Sequence, residues 1–487
     1  MSNLHLDRRA LLLGGAGLAT TAALTTFEPA AAGTKTTKTF TGTFSAATTE
    51  DWVYLPFTVP KGVQRIAVSY SYPPTIPGPG YSKNVIDIGI FDPSGTELGN
   101  AEGFRGWSGG ARKSFQLSRT SATPGYLPGP ITPGRWRIAL GPYQVVSRIT
   151  YQVKVTLHFG PRGAAFVPTP APTAVPGTGT AWYRGDLHVH TVHSDGSQTQ
   201  AEVLADAKAA GLDFIGSSEH NTSSAQLTWG RYLTEEYDGL LVIAGEEVTT
   251  RAGHWVAAGL PAGTWIDWRY RPEDDELAHF TQQVRDVGGL AIAAHPRIAV
   301  PSIRWDFDTD FAHMDAVEVW NGAWDAFDSL AVQQWHTLLA AGTFVPAVGN
   351  SDSHNHTQTI GLAQTVVRAE SLSVEAVLAG YRGGHSWIAG SSAVGLEFTA
   401  TLDDVSGECG DTVPSGPDDV VDVRLVVTGV PDAVATLIGP SGVLATATAV
   451  DATITLTEPV PGGIAFVRAE VKQGSKMVAL TNPIFLL

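Results

Sequence analysis

Asp186-Leu187-His188-Val189-His190-Thr191-Val192-His193-Ser194-Asp195-Gly196 begins with polar and apolar residues in strict alternation. In an extended strand, side chains two apart share a face. Asp186, His188 and His190 therefore point one way, and Leu187 and Val189 pack the other way. Two imidazoles at i and i+2 suit one metal ion, with the Asp186 carboxylate either a further ligand or a partner behind the ligands. A bare His-x-His pair is common by chance. Followed at once by Ser194-Asp195-Gly196, it is a far more specific signal.

The sequence around this run, residues 181–390, alternates apolar strands with helical stretches, the pattern of an α/β domain with parallel strands. Glu202 to Ala210 has helical spacing and stops at Gly211. Strand-like runs follow at Asp213–Gly216, Leu240–Ala244, Gly289–Ala294, Ala316–Trp320 and Phe344–Val348, each leading into a polar residue able to bind metal. In parallel barrels, catalytic groups sit at the C-terminal ends of the strands.

Composition limits the chemistry. The 487 residues carry 31 Lys+Arg against 47 Asp+Glu, a formal charge of −16, which disfavours nucleic acid and anionic lipid as partners. Residues 180–390 by themselves sum to −16 and hold twelve of the 14 histidines. The lone Cys409 excludes a disulfide scaffold and a thiolate zinc site, so any metal must rest on histidine and carboxylate. Neither a G-x-S-x-G nor a phosphate-binding glycine loop supports serine hydrolase or nucleotide chemistry.

The flanks read differently. Arg8-Arg9 before a weakly apolar run ending at Pro29-Ala30-Ala31-Ala32 resembles a twin-arginine signal over residues 1–32, which predicts export to the periplasm, cell surface or medium and no membrane span after cleavage. Residues 40–160 show short alternating strands and turn residues, the pattern of a β-sandwich accessory domain. Tyr72, Tyr81 and Trp107 are its candidate contacts to a cell-envelope polymer, with packing the commoner fate of such aromatics. The spaced prolines of 161–180 predict a semi-rigid linker. Residues 391–487 return to short strands and predict a second small β-sandwich.

The middle region also resembles the PHP (polymerase and histidinol phosphatase) superfamily. The resemblance rests on Asp186-Leu187-His188-Val189-His190 with Ser194-Asp195-Gly196, Ser218-Glu219-His220-Asn221, Gly245-Glu246-Glu247 with Gly253-His254, His295-Pro296, and Asn350-Ser351-Asp352-Ser353-His354, in the family's order. It implies a distorted (β/α)7 barrel, here flanked by the N-terminal and C-terminal sandwiches, with two or three divalent ions (zinc, manganese or iron). By motif, His188, His190, Glu247 and Asp352 would hold one ion. Glu247 would bridge to a second at His254 and His295, and Asp195, His220 and His354 would supply a third position. Glu247 rather than Glu246 is the bridging carboxylate, because the family motif leaves one residue between Gly and Glu. The chain departs from the family in having Glu219 where Asp is usual. Ala316–Gly322 and Asn482-Pro483-Ile484 resemble an exported branch that includes a carbamate-ester hydrolase of the carbaryl-degrading type.

The resemblance implies an exported metal-dependent phosphoesterase acting on a small-molecule ester. Paired cations would activate a shared water and neutralise charge on the substrate oxygen. Carboxylic or carbamate ester hydrolysis by the same site is the alternative within enzymes, and a non-catalytic, metal-stabilised envelope-binding protein is the alternative outside them. Glu247 and Asp352 are the central catalytic carboxylates. His193 is a candidate proton donor or a residue behind the ligands, as is His356. Arg297, two residues after His295, is either a clamp for a phosphate or carboxylate or a surface ion pair. His279, His313, His336 and His385 are assigned structural or surface roles.

Overall fold

The computed structural model describes residues 34–46, 48, 50–73, 83–300 and 303–487. The expected signal at 1–32 and Tyr81 lie outside the described residues. Among the described residues, no helix is long and apolar enough to cross a membrane. The chain separates into two compact units. One runs to Pro168 and takes in two later segments, Thr191–Ser197 and His220–Ala225. The other comprises Thr169–His190, Gln198–Glu219 and Gln226–Leu487.

The first unit contains two four-stranded antiparallel sheets. One sheet runs Lys35–Phe44, Ile149–Phe159, Val63–Ser71, Ser114–Ser118. The other runs Val53–Val59, Gly134–Gln144, Val85–Phe91, Phe104–Trp107. Alternating residues of both, among them Ile66, Val68, Ile86, Ile88, Trp136, Ile138, Val153 and Val155, fill a shared core. Trp107 is only 2% exposed and meets Trp52 edge-on at 5.5 Å, so it is a packing residue rather than a polymer contact. Tyr72 is half-buried beneath the Lys113 ammonium, 3.8 Å from its ring centre.

The proline-rich segment is hydrogen-bonded along its length. Arg119 donates to the Gly163 carbonyl and Phe166 N–H to the Arg119 carbonyl. Past Pro168, Thr169 donates to Leu227 and Val175 to Leu372. The break between the units thus falls inside the segment, between Pro168 and Thr169.

The second unit is organised by one long sheet. Its strands are β1 (Ala181–Asp186), β2 (Phe214–Ser217), β3 (Leu241–Thr250), β4 (Gly253–Ala258), β5 (Leu290–Ala294), β6 (Ala316–Asn321), β7 (Ala347–Asn350), β8 (Gln364–Ala369) and β9 (Ser386–Ala389). Their order in space is β7-β6-β5-β4-β3-β2-β1-β8-β9. The pairs β1–β2, β2–β3, β5–β6 and β6–β7 are parallel. The pairs β3–β4, β4–β5, β1–β8 and β8–β9 are antiparallel. Four helices accompany the strands: α1 (Gln200–Ala209), α2 (Leu277–Asp286), α3 (Ala326–Ala340) and α4 (Val374–Arg382). Thr199 caps α1 through a reciprocal pair with Glu202.

This departs from regular β/α alternation. β3 and β4 form a hairpin, because Arg251-Ala252-Gly253 is a turn with Gly253 at φ 129. No α-helix lies between β5 and β6 among the described residues. The sheet curls until β7 meets β8 through a side chain rather than a ladder. The Thr365 hydroxyl accepts from Gly349 N–H at 3.0 Å and donates to Gly349 C=O at 2.8 Å.

The C-terminal region is not a free-standing sandwich. β9 pairs with Lys476–Thr481, so the same sheet continues through Ala465–Gln473, Val434–Gly439 and Gly442–Thr448. A four-stranded sheet of Val405–Gly407, Gly395–Leu402, Val420–Thr428 and Thr453–Pro461 completes the region. Its core joins Val366 and Trp387 to Val423, Leu425, Leu437 and Val467. Asn482, fully buried, accepts from Ala347 N–H at 2.8 Å and donates to the carbonyls of Ala347 at 2.9 Å and Ser386 at 3.1 Å.

Candidate metal centre

The strands of the second unit deliver polar side chains to one end of the curled sheet. β1 stops at Asp186, so His188 and His190 lie just beyond it, kept extended by a bridge between Val189 and Ser353. Leu187 and Val189 enter separate apolar clusters on the opposite face. Asp186 is a scaffold. Its carboxylate accepts from the backbone N–H of His188 at 3.2 Å, Ser351 at 3.1 Å and Gly361 at 2.9 Å, binding the β1 exit to the β7 exit. Burial pushes its pKa up to about 6, against the opposing effect of those bonds.

Glu246 and Glu247 are adjacent in β3 and so face opposite sides. Glu247 Oε2 stands 3.3 Å from both His188 Nε2 and His190 Nε2. Asp352 Oδ1 stands 3.3 Å from the first and 3.2 Å from the second. Glu247 Oε1 points elsewhere, 2.9 Å from His254 Nδ1 and 3.3 Å from His295 Nε2. Glu246 instead accepts from Ile266 N–H at 3.0 Å, and burial raises its pKa well above the carboxylate range.

Glu318, in the apolar β6, is the residue that sequence reasoning passed over. It is 1% exposed and accepts four hydrogen bonds. His188 Nδ1 at 3.2 Å and Asn350 Nδ2 at 2.9 Å donate to Oε1, while His295 N–H and Asn321 Nδ2, each at 2.8 Å, donate to Oε2. Bonded this way, the His188 Nδ1 carries the proton and its Nε2 lone pair faces Glu247 and Asp352. His354 is fixed similarly, its Nδ1 donating to the Asp352 carbonyl at 2.8 Å with its ring 4.1 Å from that of His190. The available signal was a lone glutamate inside an otherwise apolar strand, followed by Asn321.

Backbone strain accompanies the cluster. His295 has φ 31 and Asp352 φ 51, left-handed values uncommon outside glycine. His295 follows directly on β5 and Asp352 comes two residues after β7, where the chain turns to bring each side chain back to the cluster.

Charge and spacing both fit divalent metal. Four ligands about 2.0–2.1 Å from one tetrahedral ion would lie about 3.3–3.4 Å apart. The four contacts linking His188 and His190 to Glu247 and Asp352, at 3.2–3.3 Å, correspond to four of the six edges of such a site. The donor atoms of His188, His190 and Asp352, and those of His188, Glu247 and His295, lie within 4.8 Å of one another. Burial would depress the His188 imidazolium, but Asp352, Glu247 and Glu318 outweigh it and hold its pKa well above normal. Burial likewise opposes ionisation of Asp352, yet His188, His354 and His190 pull its pKa well below the usual range. So many buried carboxylates require compensating positive charge. Asp352, 17% exposed, opens the cluster toward solvent.

Arg297 and His356 lie apart from this cluster. Arg297 is exposed between the buried Pro296 and Ile298 and donates to Gln334 of α3 at 3.4 Å. His356 is exposed, 3.8 Å from Glu202 and 3.7 Å from Asp206. Asp195, His193 and His220 belong to the first unit. There Asp195 lies 3.4 Å from His220, and His193 Nδ1 lies 2.8 Å from the Ser224 hydroxyl.

No family model matches this sequence, and no curated protein matches it. Among solved structures, the chain is similar to an amidohydrolase from Chromobacterium violaceum with bound sulfate and no metal, at 19% identity and TM-score 0.28 over 36% of this chain and 89% of that one. It is also similar to a two-domain protein from Bacteroides vulgatus containing a predicted PHP-like metal-dependent phosphoesterase, at 19% identity and TM-score 0.38 over 66% of this chain and 100% of that one.

Proposed function

We propose that this protein is an exported metal-dependent hydrolase of the PHP kind, a phosphoesterase acting on a small-molecule ester. The observation that carries the reading is the convergence of His188 and His190 on Glu247 and Asp352, each pair within 3.2–3.3 Å. These four residues would hold one ion. Glu247 would share a second with His254 and His295, since its other oxygen faces them. Such ions supply Lewis acidity, acidifying water and drawing charge from a phosphoryl oxygen. The remaining work belongs to the chain itself. Glu318 keeps the His188 lone pair aimed at the cluster, Asp186 locks together the backbones that carry His188 and Asp352, and the apolar strands behind them exclude bulk water. The domain limit at 40–160, the signal at 1–32 and envelope contact through the N-terminal sandwich belong to the same proposal.

Metal analysis of the mature protein, followed by a panel of esters, tests it. Bound zinc, manganese or iron is expected, with nitrophenyl phosphate turnover that a chelator abolishes, the metal restores and Glu247→Gln removes. A preparation that binds none of these metals would overturn the metal-site assignment. Turnover of nitrophenyl acetate or a carbamate ester, with none of the phosphate, would overturn the phosphoesterase assignment in favour of the ester hydrolase.

A further inference from the structure

We infer that the N-terminal sandwich is the positioning element of the two segments that carry His193, Asp195 and His220: its Gly125 turn and Arg112 clamp them. The role of those three residues rests on the hydrolase reading, whereas the clamp is a matter of geometry. Thr191–Ser197 and His220–Ala225 lie between barrel strands in sequence, yet they form one compact unit with the sandwich.

The bonds within that unit are specific. The Arg112 guanidinium donates to the Val192 carbonyl. Gly125 N–H donates to the Ser224 hydroxyl at 3.0 Å, and the Thr222 hydroxyl donates to Gly125 C=O at 2.9 Å. Ser224 Oγ is also the atom that meets His193 Nδ1 at 2.8 Å, and Ser224 N–H donates to Thr222 Oγ1 at 3.3 Å. A single sandwich residue thus engages both hydroxyls, one of which orients His193. Thr222 and Ser224 are buried, so water does not substitute readily for these partners. Asp195 and His220 come from different segments and lie 3.4 Å apart, so holding the segments in register also sets that pair.

The clamp has a rigid base. Trp107 N–H donates to Gly125 C=O at 3.0 Å and Tyr126 N–H to Thr123 C=O at 2.9 Å. The Tyr126 ring stacks on Phe115 at 3.8 Å, and its hydroxyl lies 2.8 Å from Ser108 Oγ. Gly125 has φ +94, and a Cβ there would stand 2.7 Å from the Trp107 carbonyl oxygen and 2.9 Å from that of His193. Only glycine permits this approach.

The test compares Thr222→Val, which keeps the shape but removes the hydroxyl, with Thr222→Ser, which restores it. Two readouts are taken on the full-length metal-loaded protein: backbone hydrogen exchange and steady-state kinetics on nitrophenyl phosphate. Removing a group that orients such residues typically costs about 10- to 100-fold in activity. In Thr222→Val, kcat is expected to fall by that factor with KM little changed. Exchange should rise at 191–197 and 220–225 but not in β5 to β7, and Thr222→Ser should recover both. Arg112→Ala, half-buried and easier to accommodate, should raise exchange at 191–197 and decides the matter if Thr222→Val does not fold. Unchanged exchange in the folded variants, or a kcat in Thr222→Val equal to that of the parent, would overturn the clamp. If the parent hydrolyses no phosphate ester, the function proposal fails, and the exchange measurement still decides the clamp.

Discussion

Glu318→Gln isolates the carboxylate that aims His188. The substitution preserves volume but turns one oxygen into an NH2 group. Each Glu318 oxygen accepts two donors, His188 Nδ1 and Asn350 Nδ2 on one, His295 N–H and Asn321 Nδ2 on the other. Whichever way the amide turns, two donors face its NH2 and lose their acceptor. At about 1–3 kcal/mol for each buried group left unpaired, the cost is roughly 2–6 kcal/mol before relaxation. When the pair facing NH2 includes His188, its ring is free to take the other tautomer, which spoils the lone pair directed at Glu247 and Asp352. Metal affinity should therefore drop by about 10- to 100-fold. Competition with a calibrated chelator measures the affinity, and thermal melts with and without metal measure the stability. If Glu318→Gln held metal within about threefold of the parent, less than the loss expected of such a partner, and melted at the same temperature, the assignment of Glu318 as the support of His188 would be wrong.

Three further outcomes follow from the packing. Thr365→Val removes the hydroxyl that both donates to and accepts from Gly349 where the sheet curls closed, and should destabilise the protein by about 1–3 kcal/mol in denaturant unfolding. Asn482→Ala should cost more, about 2–5 kcal/mol, because it strips bonds from both Ala347 and Ser386, with loss of soluble protein or a lower melting temperature as the measure. The Asp411 carboxylate is the pH-sensitive case. Burial raises its pKa, but Arg368 and the Glu408 N–H outweigh that and hold it below normal. A depressed folded value stabilises above the unfolded pKa of about 3.9 and is lost as pH falls through the folded value. Asp411→Asn should thus be less stable than the parent near neutrality, with the deficit shrinking as pH falls through the folded value; a deficit that stayed constant into acid would refute the electrostatic explanation.

What the sequence revealed and what it concealed have separate physical origins. Strand alternation made the placement of His188 and His190 readable, and the same rule separates Glu247 from Glu246. Glu318 was harder, since a buried carboxylate in an apolar strand looks like an irregularity until its four donors, drawn from β5, β6, β7 and the β1 exit, are assembled around it. The β3–β4 hairpin was missed because Val248-Thr249-Thr250-Arg251-Ala252 carries no strong turn signal before Gly253. Long-range pairing is equally silent. Nothing in Ser386–Ala389 announces Lys476–Thr481 as its neighbour, so a shared sheet was read as a separate module. The attachment of Thr191–Ser197 to the sandwich depends on Gly125 and Arg112, far away in the chain. Proximity in sequence to His295 left the place of Arg297 undecided, and it emerges exposed beside Gln334.

The sheet that passes from β9 into Lys476–Thr481 has an evolutionary consequence. A module joined by a linker can be exchanged between genes by cutting the linker. One joined by a ladder must bring a matching edge, with the right register and the right residues at Trp387, Leu480 and Asn482. Recombination that replaced the C-terminal region would also strip the curled sheet of the Asn482 bonds to β7, whose exit carries Asp352. The two regions are therefore bound to be inherited as one piece, and variation in this protein should concentrate in its loops rather than in the choice of C-terminal partner.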